Sequence, residues 1–312
     1  MSSIVDKKIY TKGELLNLYN LPLDELLAES SKYMSDNVEF CSLINARNGK
    51  CSQNCKYCAQ SSHYCTNIES YPLVEVSEVV KVAKEAKANG VSRFAIVTSG
   101  KTPDEGRDFQ TELEMIKQIN KLGGLKSCAS IGILDEEQAK QLADTGLKRF
   151  HHNINTCRSY YPEVCTTHSF EDRINTCKLV KKYGMELCCG VILGMGESVE
   201  QRVEMAMELA EIEPDSIPIN ILMPIPETPF ENYHDKIDEE NVLRAMAVFK
   251  IANPKSVVRF CGGRMRLSQA NQELALKTCV EGILIGNYLT TVGKEPKDDL
   301  QTIDKLGKHL LH

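Results

Sequence analysis

Eight short apolar runs, each separated from the next by an amphipathic helical run, constrain this chain more than any other feature. The strand-like runs are VEFCSLINA, RFAIVTSG, LKSCASIGIL, KRFHHNIN, MELCCGVILG, DSIPINILM, KSVVRFCGG and ILIGNYL. Between them lie helix-like runs such as SEVVKVAKEAKANG, DEEQAKQLADTG and EENVLRAMAVFKIA, which tend to start near Asp or Ser and to close on Gly. Apolar strands at this spacing suit a parallel sheet covered on its outer face. The pattern predicts an α/β fold, a (β/α)8 TIM-type barrel or one slightly short of closure. An open doubly wound sheet is the competitor, but no G-x-G-x-x-G follows the first strand. With no linker or low-complexity tract, residues 1–312 read as one domain. It carries an N-terminal helical extension (about 1–35) and a C-terminal tail (about 291–312) made of a loop and a closing helix.

A net charge of −6 argues against a nucleic-acid or anionic-membrane surface. No apolar run approaches the roughly 20 residues that span a bilayer, and MSSIVDKKIYTKGELL lacks a signal-peptide pattern. A cytoplasmic protein is expected, in a compartment where thiols stay reduced. The thirteen cysteines therefore read as ligands, nucleophiles or small core residues, with no disulfide framework.

Four of them fall in NGKCSQNCKYCAQSSHYC, residues 48–65. Cys51, Cys55 and Cys58 stand at C-x3-C-x2-C, whereas Cys65 lies outside that compact loop. Structural zinc would want four ligands, usually as two C-x2-C pairs. Three thiolates on a four-iron cluster leave one iron open to a small molecule. The loop follows the first strand, so it lies at the C-terminal face, where barrels of this type do their chemistry.

This motif in this place resembles the radical S-adenosylmethionine (SAM) superfamily. The resemblance implies a 4Fe–4S cluster on Cys51, Cys55 and Cys58 that chelates SAM and cleaves it to methionine and a 5′-deoxyadenosyl radical. It also places Tyr57 against the adenine. CKYCAQSSHY, HNIN, GVILGMGES, SIPIN and RFCGGR then follow in the order and separations of one branch, the biotin synthases, from about residue 40 to the end of the last strand. For that branch the implied reaction is sulfur insertion into dethiobiotin, with two SAM cleaved to 5′-deoxyadenosine and an auxiliary iron–sulfur cluster supplying the sulfur. An electron donor such as flavodoxin or ferredoxin, and a homodimer, are implied as well.

In that branch the auxiliary centre is a [2Fe–2S] cluster held by three cysteines and an arginine. Cys128, Cys188 and Arg259 match three of these positions; the fourth is Ala95, whose methyl cannot ligate iron. Residues i and i+2 of a strand share a face, so Cys261 points as Arg259 does. Cys188 and Cys189 point oppositely, which leaves Cys189 as a small hydrophobe between sheet and helix. Cys128, Cys188 and Cys261 suit a four-iron centre with one open corner able to carry an extra sulfide, and this is the favoured expectation. A [2Fe–2S] cluster with Cys261 as the substitute ligand is the alternative, and unliganded core cysteines are the plain reading.

Gly190, Ile192, Gly194 and Glu197 fit the pattern G-x-I-x-G-x-x-E, whose glycines let backbone approach the adenine of SAM. Asn153 and Asn155 share a strand face, and amides both give and accept hydrogen bonds. The resemblance assigns Asn153 to SAM and dethiobiotin. It assigns Asn155, an aspartate in the family, to the ribose, Arg173 to the SAM pocket and Asn220 to the ureido ring. Arg47, just before the cysteine loop, is placed to meet the substrate carboxylate as a charge-assisted pair. Radical abstraction needs no general base, so His151, His152 and His168 read as packing or surface residues. Cys41, Cys157, Cys165, Cys177 and Cys279 lack ligand spacing and read as core or helix-face thiols. Two other readings stay open: a hydrogenase-maturation or mutase-like radical SAM enzyme, and a non-catalytic iron–sulfur carrier.

Overall fold

A computed structural model describes residues 8–103, 107–286 and 294–311. The first seven residues of the expected N-terminal extension, the end of the last expected strand with the start of the tail (287–293), and residue 312 lie outside the described residues.

The apolar runs become parallel staves. In chain order they are β1 (Asn37–Arg47), β2 (Arg93–Thr98), β3 (Lys126–Ser130), β4 (Arg149–His151), β5 (Glu186–Cys188) with β6 (Val191–Leu193), β7 (Ser216–Ile221), β8 (Val257–Phe260) and β9 (Gly282–Leu284). Neighbours pair in that order, and β9 returns to β1 through Glu39↔Gly282 and Cys41↔Leu284, closing the barrel. β5 and β6 are two parts of one stave, both pairing with β7. The stave breaks at Cys189–Gly190, where a Cβ on Gly190 would lie 1.9 Å from the Pro218 carbonyl oxygen. Only glycine allows the two staves to approach that closely.

The helices are α1 (Lys12–Tyr19), α2 (Leu23–Ser31), α3 (Val76–Ala88), α4 (Arg107–Lys121), α5 (Glu136–Asp144), α6 (Tyr161–Val164), α7 (Phe170–Lys182), α8 (Val199–Ile212), α9 (Glu239–Ala252), α10 (Gln269–Thr278) and α11 (Pro296–Lys305). The expected start signals do their work: Thr11, Asp135, Ser169 and Ser198 each form a capping box at a helix start. The N-terminal extension is two helices broken at Pro22, and α1 and α2 pack on α8 and α9.

Period-two alternation sorts the barrel's two interiors. Val38, Phe40, Phe94, Ile96, Phe150 and Leu187 are buried against the helices. Leu43, Ala95, Cys128, His151, Cys188 and Arg259 face the lumen. After α11 the chain adds β10 (His309–Leu311), parallel to the start of β1 and not expected from the sequence, because three residues carry no readable period. The tail helix is docked by a buried pair, with Arg264 Nη1 donating to Asp299 Oδ1 at 2.9 Å and Nη2 to Oδ2. Because α11 can detach without opening the barrel, Asp299→Ala is expected to act locally. Limited proteolysis should cut the variant within the last twenty or so residues while its far-ultraviolet circular dichroism stays near the parent's.

Candidate active site

A cavity of about 430 Å³ runs from the cysteine loop down into the lumen. Cys51, Cys55 and Cys58 all face it from the loop after β1. Backbone bonds fold that loop tightly: Cys51 N–H donates to Gln60 O at 2.9 Å, Cys58 N–H to Cys55 O at 3.0 Å, and Ser62 N–H to Cys51 O at 2.8 Å. Burial pushes the Cys58 thiol up to about 11, so a metal must displace its proton on binding. Three thiols converging on one open space are a fitting donor set for the first iron–sulfur cluster.

Beside the loop sits a group the sequence reading missed. Cys55 Sγ lies 3.6 Å from Cys165 Sγ, and Cys165 Sγ lies 3.2 Å from His168 Nδ1. Arg173 Nη2 lies 2.9 Å from His168 Nε2, and His168 Nδ1 is also 3.0 Å from Gln53 Oε1. The hydrogen bond between the two thiols raises Cys55, with burial adding to it, and lowers Cys165, so the shared proton rests on Cys55. Arg173 also donates from Nε to the Tyr161 hydroxyl at 3.0 Å and lines the cavity, as does Tyr57.

His151, His152 and His168, expected as packing or surface residues, all line the cavity. Strand alternation failed because β4 ends at His151 and the chain turns; Asn155 already has φ +66°, a left-handed conformation that asparagine tolerates. His152 Nε2 is buried with no hydrogen-bond partner among the described residues, and burial holds the ring neutral.

The amides sit between the two ends of the cavity. Asn153 Oδ1 accepts from Gly190 N–H at 2.9 Å, which aims its NH2 group away from that bond. Asn155 is buried on the same wall. Asn220 accepts from Gly262 N–H at 3.0 Å and donates to Val191 O at 3.2 Å, keeping one N–H and one lone pair. Ile192 faces the cavity, but Gly190 and Gly194 are not among its lining residues. The role of Gly194 is local: its φ is +92°, and a Cβ there would lie 2.7 Å from Ile237 Cγ2. Glu197 accepts from Gly194 N–H at 2.9 Å and Met195 N–H at 2.8 Å, and pairs with Arg202. Arg47 is not on the cavity wall either. Its guanidinium donates to Ser99 O at 3.0 Å and pairs with Asp108 at 3.1 Å, a carboxylate partner supplied by the protein itself.

Deeper in the lumen, Cys128, Cys188 and Cys261 line the cavity and Cys189 does not; Cys189 Sγ lies 3.9 Å from Cys177 in the outer core. Burial alone would raise Cys188, but His151, whose Nδ1 is 3.3 Å from the sulfur, together with Arg259 and Arg149, brings it down to about 6. Burial raises Cys128 to about 12 against the pull of Arg149 and Arg93. The expectation for Cys41 is also corrected: it is a luminal thiol, with Arg259 Nη1 donating to its sulfur at 3.1 Å.

Below the thiols lies a charged floor. Glu39 takes Arg149 Nη1 at 3.0 Å and also pairs with Arg93 and Arg259. Glu186 pairs with Arg93 and Arg149, each at 2.8 Å. Three cations against two carboxylates leave one positive charge beneath the thiols, which favours an anionic centre above it. With that charge and a set of converging thiols, the residues fit a second iron–sulfur cluster.

The chain is similar to known proteins over most of its length. The Radical SAM superfamily model matches residues 47–210, and the Biotin and Thiamin Synthesis associated domain matches residues 218–309. The chain is 47% identical over 284 residues to the biotin synthase of Acetivibrio thermocellus, covering 90% of this chain and 88% of that protein. It is 42% identical over 294 residues to the biotin synthase of Clostridium tetani, covering 94% and 89%. Among solved structures, methylornithine synthase (PylB) superposes with a TM-score of 0.82 at 18% identity, covering 97% of this chain and 94% of that one. The hydrogenase maturase HydG gives 0.82 at 17% identity, covering 97% and 72%. At those identities the likeness is one of fold alone.

Proposed function

The chain belongs to the biotin synthase family of radical SAM enzymes, and from that premise we propose that its barrel works between two iron–sulfur centres facing one cavity. Its cofactors are a 4Fe–4S cluster and SAM, and its substrate is dethiobiotin. The observation that carries the proposal is that the cysteine loop and the luminal thiols line the same cavity, with Asn153, Asn155 and Asn220 on its wall. When bound, the first centre supplies the electron that cleaves SAM and the second supplies the sulfur.

The chain's own residues bind and orient. Cys51, Cys55 and Cys58 hold the first cluster, with Tyr57, Asn153, Asn155, Ile192 and Arg173 around SAM. Arg173 is itself fixed by Tyr161 and His168. The free N–H and lone pair of Asn220 complement a ureido ring, which offers both an N–H and a carbonyl. The NH2 group of Asn153 is left for SAM and substrate. His152, with a buried Nε2 that no described residue satisfies, has one hydrogen bond to offer a bound molecule. Cys128, Cys188 and Cys261, beside Arg259, hold the second centre, which we read as a four-iron cluster with an extra sulfide. No helix among the described residues is long and apolar enough to cross a membrane. The same reading carries a reducing cytoplasm, an electron donor of flavodoxin or ferredoxin type, and a homodimer.

Anaerobic reconstitution with iron, sulfide, SAM, dithionite and dethiobiotin tests the reading. Biotin and 5′-deoxyadenosine should both form, with more than one deoxyadenosine per biotin. Deoxyadenosine without biotin would refute sulfur insertion. Neither product would return the chain to the class of cluster carriers.

The neutral amide at Asn155 makes a further expectation. Asn155→Asp restores a charged acceptor for the ribose hydroxyls, and a charge-assisted bond exceeds a neutral one by about 1 kcal/mol. The KM for SAM should fall roughly fivefold with kcat little changed, read by steady-state deoxyadenosine formation.

A further inference from the structure

We propose that Cys41 is a ligand of the auxiliary iron–sulfur centre, supplying from β1 the thiolate that Ala95 on β2 cannot. This rests on the reading of the lumen given above and adds a residue that cysteine spacing had set aside. Three observations converge on it. The alternation of β1 turns Glu39, Cys41 and Leu43 inward while Val38 and Phe40 pack against the helices. Ala95, which does line the lumen, pairs with Leu43, and Cys41 sits two residues earlier on that neighbouring stave. Finally, Cys41 is tied to the floor, because the Arg259 guanidinium donates to its sulfur from Nη1 at 3.1 Å and pairs with Glu39 through Nη2.

Cys41 differs from the chain's core thiols in where its sulfur points. Cys177 and Cys189 face each other in the apolar layer outside the sheet. Cys41 instead lines the same cavity as Cys128, Cys188 and Cys261. Without metal it is a protonated thiol, donating to Ile283 O at 3.5 Å. Ligation exchanges that proton for iron, and Arg259 is already in place to stabilise the thiolate. Cys41 and an added sulfide would take the same corner of a four-iron centre, so Cys41 closes that corner while no extra sulfide is loaded and leaves it, taking back its proton, when hydrosulfide enters.

The test isolates the second centre in a full-length variant carrying Cys51→Ala, Cys55→Ala and Cys58→Ala, reconstituted anaerobically. Iron and sulfide per chain are measured, with Mössbauer and electron paramagnetic resonance spectra. Adding Cys41→Ala should lower bound iron at least twofold, and Cys41→Ser should keep iron but shift the spectra. Ala95→Cys in the Cys41→Ala chain should restore the iron, which a mere folding defect would not allow. Unchanged iron and spectra in both Cys41 variants, with loss in Cys128→Ala, would remove Cys41 and leave the second centre standing. A parent variant that binds no iron would remove the second centre itself, and Cys41 with it.

Discussion

Cys58→Ala should bring 5′-deoxyadenosine formation down to background while leaving part of the bound iron in place. Cys58 is the last thiol of the loop, and its sulfur faces the cavity from a turn closed by its own N–H to Cys55 O. Removing it leaves Cys51 and Cys55, and two thiolates cannot support three corners of a four-iron cluster. The luminal thiols come from different staves, so iron bound there is untouched and the chain should stay brown after desalting. Cys177→Ala is the matched control: it removes a buried thiol from the outer core and should cost some stability but little deoxyadenosine. Two results would end the assignment of the loop: Cys58→Ala still cleaving SAM, or losing all of its iron. His168→Ala should show an intermediate outcome, because His168 holds Cys165, which lies against Cys55, and removing such outer partners typically changes metal affinity about 10–100-fold. Its readout is iron retained against a chelator.

The barrel was legible because strand and helix periods alternate along the whole chain, and a closed parallel sheet is the arrangement that buries every apolar run. The loop of Cys51, Cys55 and Cys58 was legible from spacing, and the luminal facing of Cys261 followed from its being two residues beyond Arg259. What failed was inference from local pattern where the backbone stops being regular. His152 reaches the cavity because β4 is only three residues long. Cys165 and His168 meet Cys55 across 110 or more positions, a distance no spacing rule spans. Cys41 was misplaced although the alternation applied to Cys261 would have found it from β1; nothing had yet fixed which face of β1 looked inward. For Arg47 the sequence does not reveal that Asp108, on a distant helix, already sits at its guanidinium.

Glu39→Gln should be among the most destabilising single changes in the chain, at about 3–5 kcal/mol. Glu39 is the hub of the lumen floor, buried and paired with Arg93, Arg149 and Arg259 at once. Burial alone would raise its carboxyl, but the three guanidiniums outweigh that and hold it well below 4.5. Glutamine keeps the shape and removes the charge, leaving three arginines with Glu186 as their remaining carboxylate partner in the network. Unfolding of the cluster-free proteins should show a loss on the order of 10 °C in melting temperature. The pH dependence has a definite sign. A carboxyl depressed in the fold contributes stability that is full above its unfolded value and fades as pH falls through the folded one. The gap between parent and Glu39→Gln should therefore be constant near neutrality and narrow below about pH 4.5. Replacing Arg149 by methionine in the same chain should recover part of the loss, since one unmatched cation leaves with its partner. If Glu39→Gln melts with the parent at neutral pH, the floor is solvated and its charge no longer explains why thiolates gather above it.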